Sequence, residues 1–303
     1  MDDHQLVQYR HPIYELLYLI LFCVLSGFAF SFLGMFVFMG MNSFSTDLLL
    51  DQQALSINVG FLRILQIFSS TGIFIMGPYL FSKKRGYHFE RYYKLDGEVF
   101  PNLAVLSILC MFCALPLIEW MSAVNAKMVF PESLKGLESW MKMKEQEAEL
   151  LTKQLLVMPS FADFTINFLM IALLPAIGEE LLFRGALQNI FSSWFKNHHV
   201  AIWVTAILFS AIHLQFFGFF PRMFLGALFG YLLVWGKSLW YPIIGHLVNN
   251  GAAVVAAFIL QQQGKSIDEL DKTDTFPVYA YGLSAIFTLV LLLRFYQKSR
   301  KQD

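Results

Sequence analysis

Apolar stretches recur along the whole chain, at 13–41, 56–82, 99–125, 163–191, 199–216, 221–236, 240–262 and 277–296. About 20 apolar residues in a helix span the ~30 Å hydrocarbon core of a bilayer, so the pattern predicts eight transmembrane helices. The fold class expected is all-α, a polytopic membrane protein. The second run carries Arg63 near its start and a Gly77-Pro78 interruption near its end. Between the third and fourth runs, 132–153 mixes Leu134, Leu137, Trp140, Met141 and Met143 with Lys and Glu. That mixture predicts an interfacial amphipathic helix, with a solvated loop helix as the alternative. With no internal repeat and no soluble segment, 1–303 reads as a single membrane domain.

Three ionisable residues lie close together inside one span, at Glu179-Glu180-Leu181-Leu182-Phe183-Arg184. Each charge at that depth costs about 2.5–3.5 kcal/mol on insertion scales, which marks intramembrane ionisable residues as functional candidates. Glu180 and Arg184 are four residues apart, share a helix face and can pair. Glu179 is rotated by about 100° from Glu180 and can face a different cavity. A carboxylate left without a cation suits a general base.

Two further polar elements lie in apolar runs. Phe209-Ser210-Ala211-Ile212-His213 puts His213 deep in the fifth, and His246-Leu247-Val248-Asn249-Asn250 opens the seventh. His246 and Asn250 project from one helix face. One free carboxylate, two imidazoles and an amide can bind and activate water, either as a metal site or as a base with oxyanion donors. Each element alone has a structural reading: a lone histidine bonding a neighbouring helix, or Glu180–Arg184 as a staple. Three together in one small bundle point to chemistry. Neither an H-E-x-x-H pattern nor a serine-nucleophile motif occurs. His4, His11, His88, His198 and His199 fall in loops or tails and read as solvated. Glu119 and Asn125 fit either a polar cavity lining or an interfacial anchor.

Composition narrows the class. Hydrophobic residues make up 57% and charged residues 15% of the chain, against about a quarter charged in soluble domains. The 22 basic and 22 acidic residues cancel, so nothing favours a nucleic-acid partner. The first run is too long for a signal-peptide core and lacks a basic lead, and reads as a retained span. Cys23, Cys110 and Cys113 all lie in apolar runs, and the C-x-x-C of the last two reads as packing.

Basic residues set the expected orientation. Lys83, Lys84, Arg85, Arg91 and Lys94 follow the second span, and Arg294, Lys298, Arg300 and Lys301 follow the last. The loops after the first and seventh spans carry Asp47 and Asp51, and Asp268, Glu269, Asp271 and Asp274. Both termini are therefore expected in the cytoplasm, in a prokaryotic cell (inner) membrane.

Glu179-Glu180-x-x-x-Arg184, Phe209-x-x-x-His213 and His246-x-x-x-Asn250 together resemble the three motifs of the CAAX prenyl protease and bacteriocin-processing family. The resemblance covers 163–262 as a CAAX-protease-type core, and 1–162, with the first spans and the interfacial helix, carries no such motif. It implies an eight-span intramembrane endopeptidase. Glu179 would activate water with help from His213, and His246 and Asn250 would position the water or stabilise the oxyanion. Glu180 and Arg184, with Phe209, would support the helix and orient Glu179. The cofactor implied is Zn2+ on Glu179, His213 and His246, making a metalloprotease, or none, with a glutamate-dependent mechanism. The partners implied are membrane lipids and a peptide or membrane-protein substrate, lipidated or not. A non-catalytic immunity or scaffold protein and a small proton-coupled transporter are the rival readings.

One tension stands in this picture. Glu179 and His246 fall a few turns from the cytoplasmic surface, whereas His213 falls about 20 Å deep at 1.5 Å per residue. Straight, full-length helices would keep them apart. The sequence therefore predicts a kink at Pro175 and an irregular connection at Gln215 to Pro221 lining a cavity.

Overall fold

The computed structural model describes residues 11–43, 55, 58–269 and 276–302. Asp47, Asp51, Asp271, Asp274 and His4 lie outside the described residues. Within them the chain is helical and contains no strand. The long helices are α1 (Pro12–Met41), α2 (Val59–Arg85), α3 (Pro101–Ala126), α4 (Lys135–Leu155) and α5 (Phe161–Phe195). They continue as α6 (His198–Ala211), α7 (Phe219–Gly236), α8 (Trp240–Gln262) and α9 (Val278–Ser299).

Among the described residues seven helices are long and apolar enough to cross a membrane, one fewer than the eight expected. The fifth expected span, 199–216, is α6, which has 14 residues and rises only ~21 Å. Local chemistry fixes both of its ends. The Asn197 side chain accepts from the His199 and Val200 N–H groups and starts the helix. At the other end Leu214 turns into the left-handed region at φ 54°, and a single 3-10 turn, Phe216–Gly218, leads into α7. The irregular connection expected before Pro221 is present.

The helix α5 is not uniform. A seven-residue α-helical piece, Leu174–Glu180, is flanked by π-helical turns at Phe168–Leu173 and Leu181–Leu187. Pro175 stands at the start of that piece, where it has no N–H for the carbonyl of Ile171. Such wide turns rotate a helix face locally, here on both sides of Glu179 and Glu180.

The short α6 folds back along the end of α5. Lys196 makes the reversal in the left-handed conformation, φ 51°. Phe183 and Phe209 are equally far from Lys196 along the chain, and their rings meet edge to face at 5.0 Å. Glu179 and His213 are also equally far from it. The expected depth conflict came from setting Glu179 too near the surface: at about 1.5 Å per residue the 17 residues to Lys196 on each side put Glu179 and His213 at one level.

The loop before α3 braces the same end of the bundle, where Asn189 of α5 donates to the Tyr92 carbonyl at 3.3 Å. Tyr93 is fully buried and its hydroxyl donates to the Pro78 carbonyl at 2.7 Å. Trp240 Nε1 donates to the Leu95 carbonyl at 3.0 Å, and the Phe100 N–H donates to Tyr241 Oη at 2.9 Å. These bonds hold the first turn of α8, two turns before His246. The amphipathic helix expected at 132–153 is α4; Met141 and Leu155 are its buried side chains.

Candidate active site

Arg184 and Glu180 form the innermost layer of the site. Both side chains have no exposed surface, and Arg184 Nη1 donates to Glu180 Oε1 at 2.8 Å. The expected i, i+4 pair is therefore present. Arg184 Nη2 donates to the Gly226 carbonyl at 3.2 Å, and the guanidinium lies over the rings of Phe209 at 4.5 Å and Phe229 at 5.3 Å. Gly226 also lets α7 come close to α6, because a Cβ there would stand 3.0 Å from that of Ala206. Aromatic faces and a backbone oxygen thus replace water around a buried cation.

Glu180 has a second partner. His246 Nδ1 lies 2.8 Å from the same Oε1 and donates to it. The pair was expected to orient Glu179; it orients His246 instead. Phe229 stacks on the imidazole at 5.3 Å and fixes its plane. Asn250, one turn on, donates Nδ2 to His246 Nε2 at 3.2 Å and to the Ile171 carbonyl at 3.1 Å. Asn249 in turn donates Nδ2 to Asn250 Oδ1 at 3.0 Å.

Glu179 points the other way, as its rotation on the helix requires. Its side chain is 15% exposed where that of Glu180 is 0%, so Glu179 is the carboxylate that opens to the cavity. Its Oε2 is 3.8 Å from His246 Nε2. His213, just past the end of α6, donates Nδ1–H to the Phe209 carbonyl at 2.7 Å. A carbonyl only accepts, so this bond leaves Nε2 as a bare acceptor. Phe209 supports both sides, since its ring also meets that of His213 at 5.1 Å.

Glu179, His213, His246 and Asn250 line one cavity of about 660 Å³. Leu151, Thr152 and Leu155 of α4 line it as well. Of the two ambiguous residues, Asn125 braces the α6–α7 connection. Its Nδ2 donates to the Phe216 carbonyl at 3.0 Å, and its Oδ1 accepts from the Phe220 N–H at 2.9 Å. Glu119 is not on the cavity wall. Arg222 and Gln215 are on it and escaped the sequence reading. Arg222 is a charge inside an apolar run, the same signal that singled out Glu179.

The set expected to hold zinc, Glu179, His213 and His246, is not gathered as a metal site among the described residues, and His246 Nε2 would have to release Asn250 to join it. His246 is engaged at both ring nitrogens, by Glu180 and by Asn250.

Residues 161–252 match the family model described as type II CAAX prenyl endopeptidase Rce1-like. This segment is Rce1-like. It starts with the first turn of α5, ends within α8 and contains every residue of the three motifs, so the expected family resemblance is borne out over it. With its apolar helices, the chain is an integral membrane protein with a CAAX-protease-like segment. A Bacillus subtilis (strain 168) protein described as "Uncharacterized protein YpbD" is 27% identical over 86 residues, 27% of this chain. The match spans 41% of that relative's length. No solved structure matches the chain.

Proposed function

We propose that this protein is an intramembrane endopeptidase in which Glu179 activates water to hydrolyse a peptide bond. The observation that carries the reading is the division of labour between adjacent carboxylates. Glu180 is held by Arg184 and His246, while Glu179 is left to a cavity shared with His213 and Asn250.

On this reading Glu179 takes a proton from water as the oxygen attacks the peptide carbonyl carbon, and returns it to the leaving amine. His213 offers its bare Nε2 to the second hydrogen of the same water and so orients it. Asn250 turns to the oxyanion the amide hydrogen that it gives His246 Nε2 in the resting site, and His246, held by Glu180, positions that amide. Arg184 and Phe209 are positioning residues for His246 and His213. The substrate is a peptide or membrane-protein segment that reaches the cavity beside α4, whose Leu151, Thr152 and Leu155 line it. The basic clusters support an orientation with both termini in the cytoplasm of a prokaryotic cell.

The test is cleavage of a fluorogenic peptide library, including farnesylated C-terminal sequences, by the purified protein in detergent. Cleavage by the wild type that disappears in Glu179→Gln and persists with a chelator supports a metal-free glutamate base. Loss under chelation, restored by zinc, would replace that mechanism with a metal-dependent one. No cleavage of any peptide, with a cellular phenotype that survives Glu179→Gln, would favour a scaffold.

A further inference from the structure

Arg222 stands in the first turn of α7, half-buried, on the wall of the cavity that holds Glu179 and His213. One residue holds it. Nη2 donates to Gln215 Oε1 at 2.8 Å, and Nη1 donates to the Gln215 backbone carbonyl at 3.3 Å. Both acceptors are neutral. Arg63, Arg85 and Arg184 each pair with a carboxylate, but among the described residues Arg222 has no such partner. Glu145 of α4 faces the same connection, yet its Oε2 accepts from the Phe217 backbone N–H at 3.3 Å.

The connection is shaped around the guanidinium. Gly218 lies beneath it, and a Cβ there would stand 3.1 Å from Nη2. A guanidinium has five N–H donors in a fixed fork that matches a carboxylate; two bonds to Gln215 leave most of that fork free. A charged group removed from bulk water is costly unless an ion meets it. Glu145 and Glu179 act on Arg222 through space without touching it, and a carboxylate in direct contact with the fork has room in the cavity itself.

We propose that Arg222 is the anion-recognition group of this cavity. It engages a carboxylate of the bound peptide and thereby selects which peptides lie against Glu179. The inference rests on the endopeptidase reading for its context, and the carboxylate is either the peptide's own C-terminus or an acidic side chain.

The experiment measures binding, so that it does not depend on turnover. A fluorescein-labelled apolar decapeptide with a free C-terminal carboxylate, its C-terminally amidated twin, and the amidated twin carrying one Asp near its end are titrated onto full-length Glu179→Gln protein. The free acid is expected to bind about tenfold or more tighter than the plain amide, the size of a charge-assisted contact. Adding Arg222→Gln should abolish that ratio, and Arg222→Lys, which keeps the charge but loses the fork, should shrink it. If Arg222→Gln does not fold, the lysine variant carries the test. Tight binding by the Asp peptide would show that an acidic side chain serves; weak binding would show that the terminus does. A parent that fails to distinguish acid from amide, or a ratio unchanged in both variants, overturns the proposal. Wild-type protein that cleaves nothing while the ratio behaves as expected would overturn the endopeptidase reading and leave the anion site standing.

Discussion

Asn250 donates to the carbonyl of Ile171, the backbone oxygen that Pro175 leaves without an α-helical partner four residues on. One sequence feature breaks α5 next to Glu179, and a motif residue of α8 repairs the break. The repair also ties the two helices together at the level of the cavity. Asn250→Ala should therefore destabilise the protein by about 1–3 kcal/mol, the cost of an unsatisfied buried group. In a Pro175→Ala background the N–H is restored, and the same change should cost about 1 kcal/mol less. Unfolding of the four proteins in detergent reads the coupling; strict additivity would mean that the bond has no such role.

The buried pair separates fold from chemistry. Arg184→Met strands a carboxylate that has no exposed surface and should cost about 3–5 kcal/mol. Glu180→Gln combined with Arg184→Met should recover most of that stability, because a neutral group replaces the stranded charge. Cleavage should stay low in both, since His246 has lost its charged support. A double variant with restored activity would show that Glu180 serves packing alone.

Glu179 should behave in the opposite way. Among the described residues it makes no hydrogen bond to the bundle, and His246 Nε2 stands 3.8 Å from its Oε2. Glu179→Gln should leave the unfolding midpoint close to wild type while reducing cleavage by ~10²-fold or more. Stability and rate falling together would point to a structural carboxylate.

A fourth prediction concerns packing away from the cavity. A Cβ on Gly185 would stand 2.4 Å from the ring of Tyr93, which is fully buried. Gly185→Ala should cost about 1–3 kcal/mol through overpacking, and Tyr93→Leu in the same chain should return part of it. Thermal unfolding of the single and double variants checks this, with cleavage per folded molecule retained in both.

Contacts within one helix were legible in the sequence. Spacings of three and four residues place Glu180 against Arg184 and His246 against Asn250 whatever the surrounding fold, and the structure has both. Relations between helices depended on ends that hydropathy does not mark. The apolar run through 191 continues to Phe195, and the run through 216 stops as a helix at Ala211; these shifts decide where His213 lies. The π-helical turns around Leu174–Glu180 left no trace in the pattern. Arg222 was visible as a charge in an apolar run, but without a helix spacing to another motif it drew no attention.

One oxygen of Glu180 serves both Arg184 and His246, and Arg184 carries the load onward to the Gly226 carbonyl of α7. A small molecule that enters the cavity and turns the imidazole must disturb the tie between α5 and α7. One that leaves the imidazole in place adds its binding energy to the folded state. The two kinds of compound should move the melting temperature in opposite directions. Site-directed inhibitors could then be found, and sorted by how they sit, in a thermal-shift screen that requires no substrate.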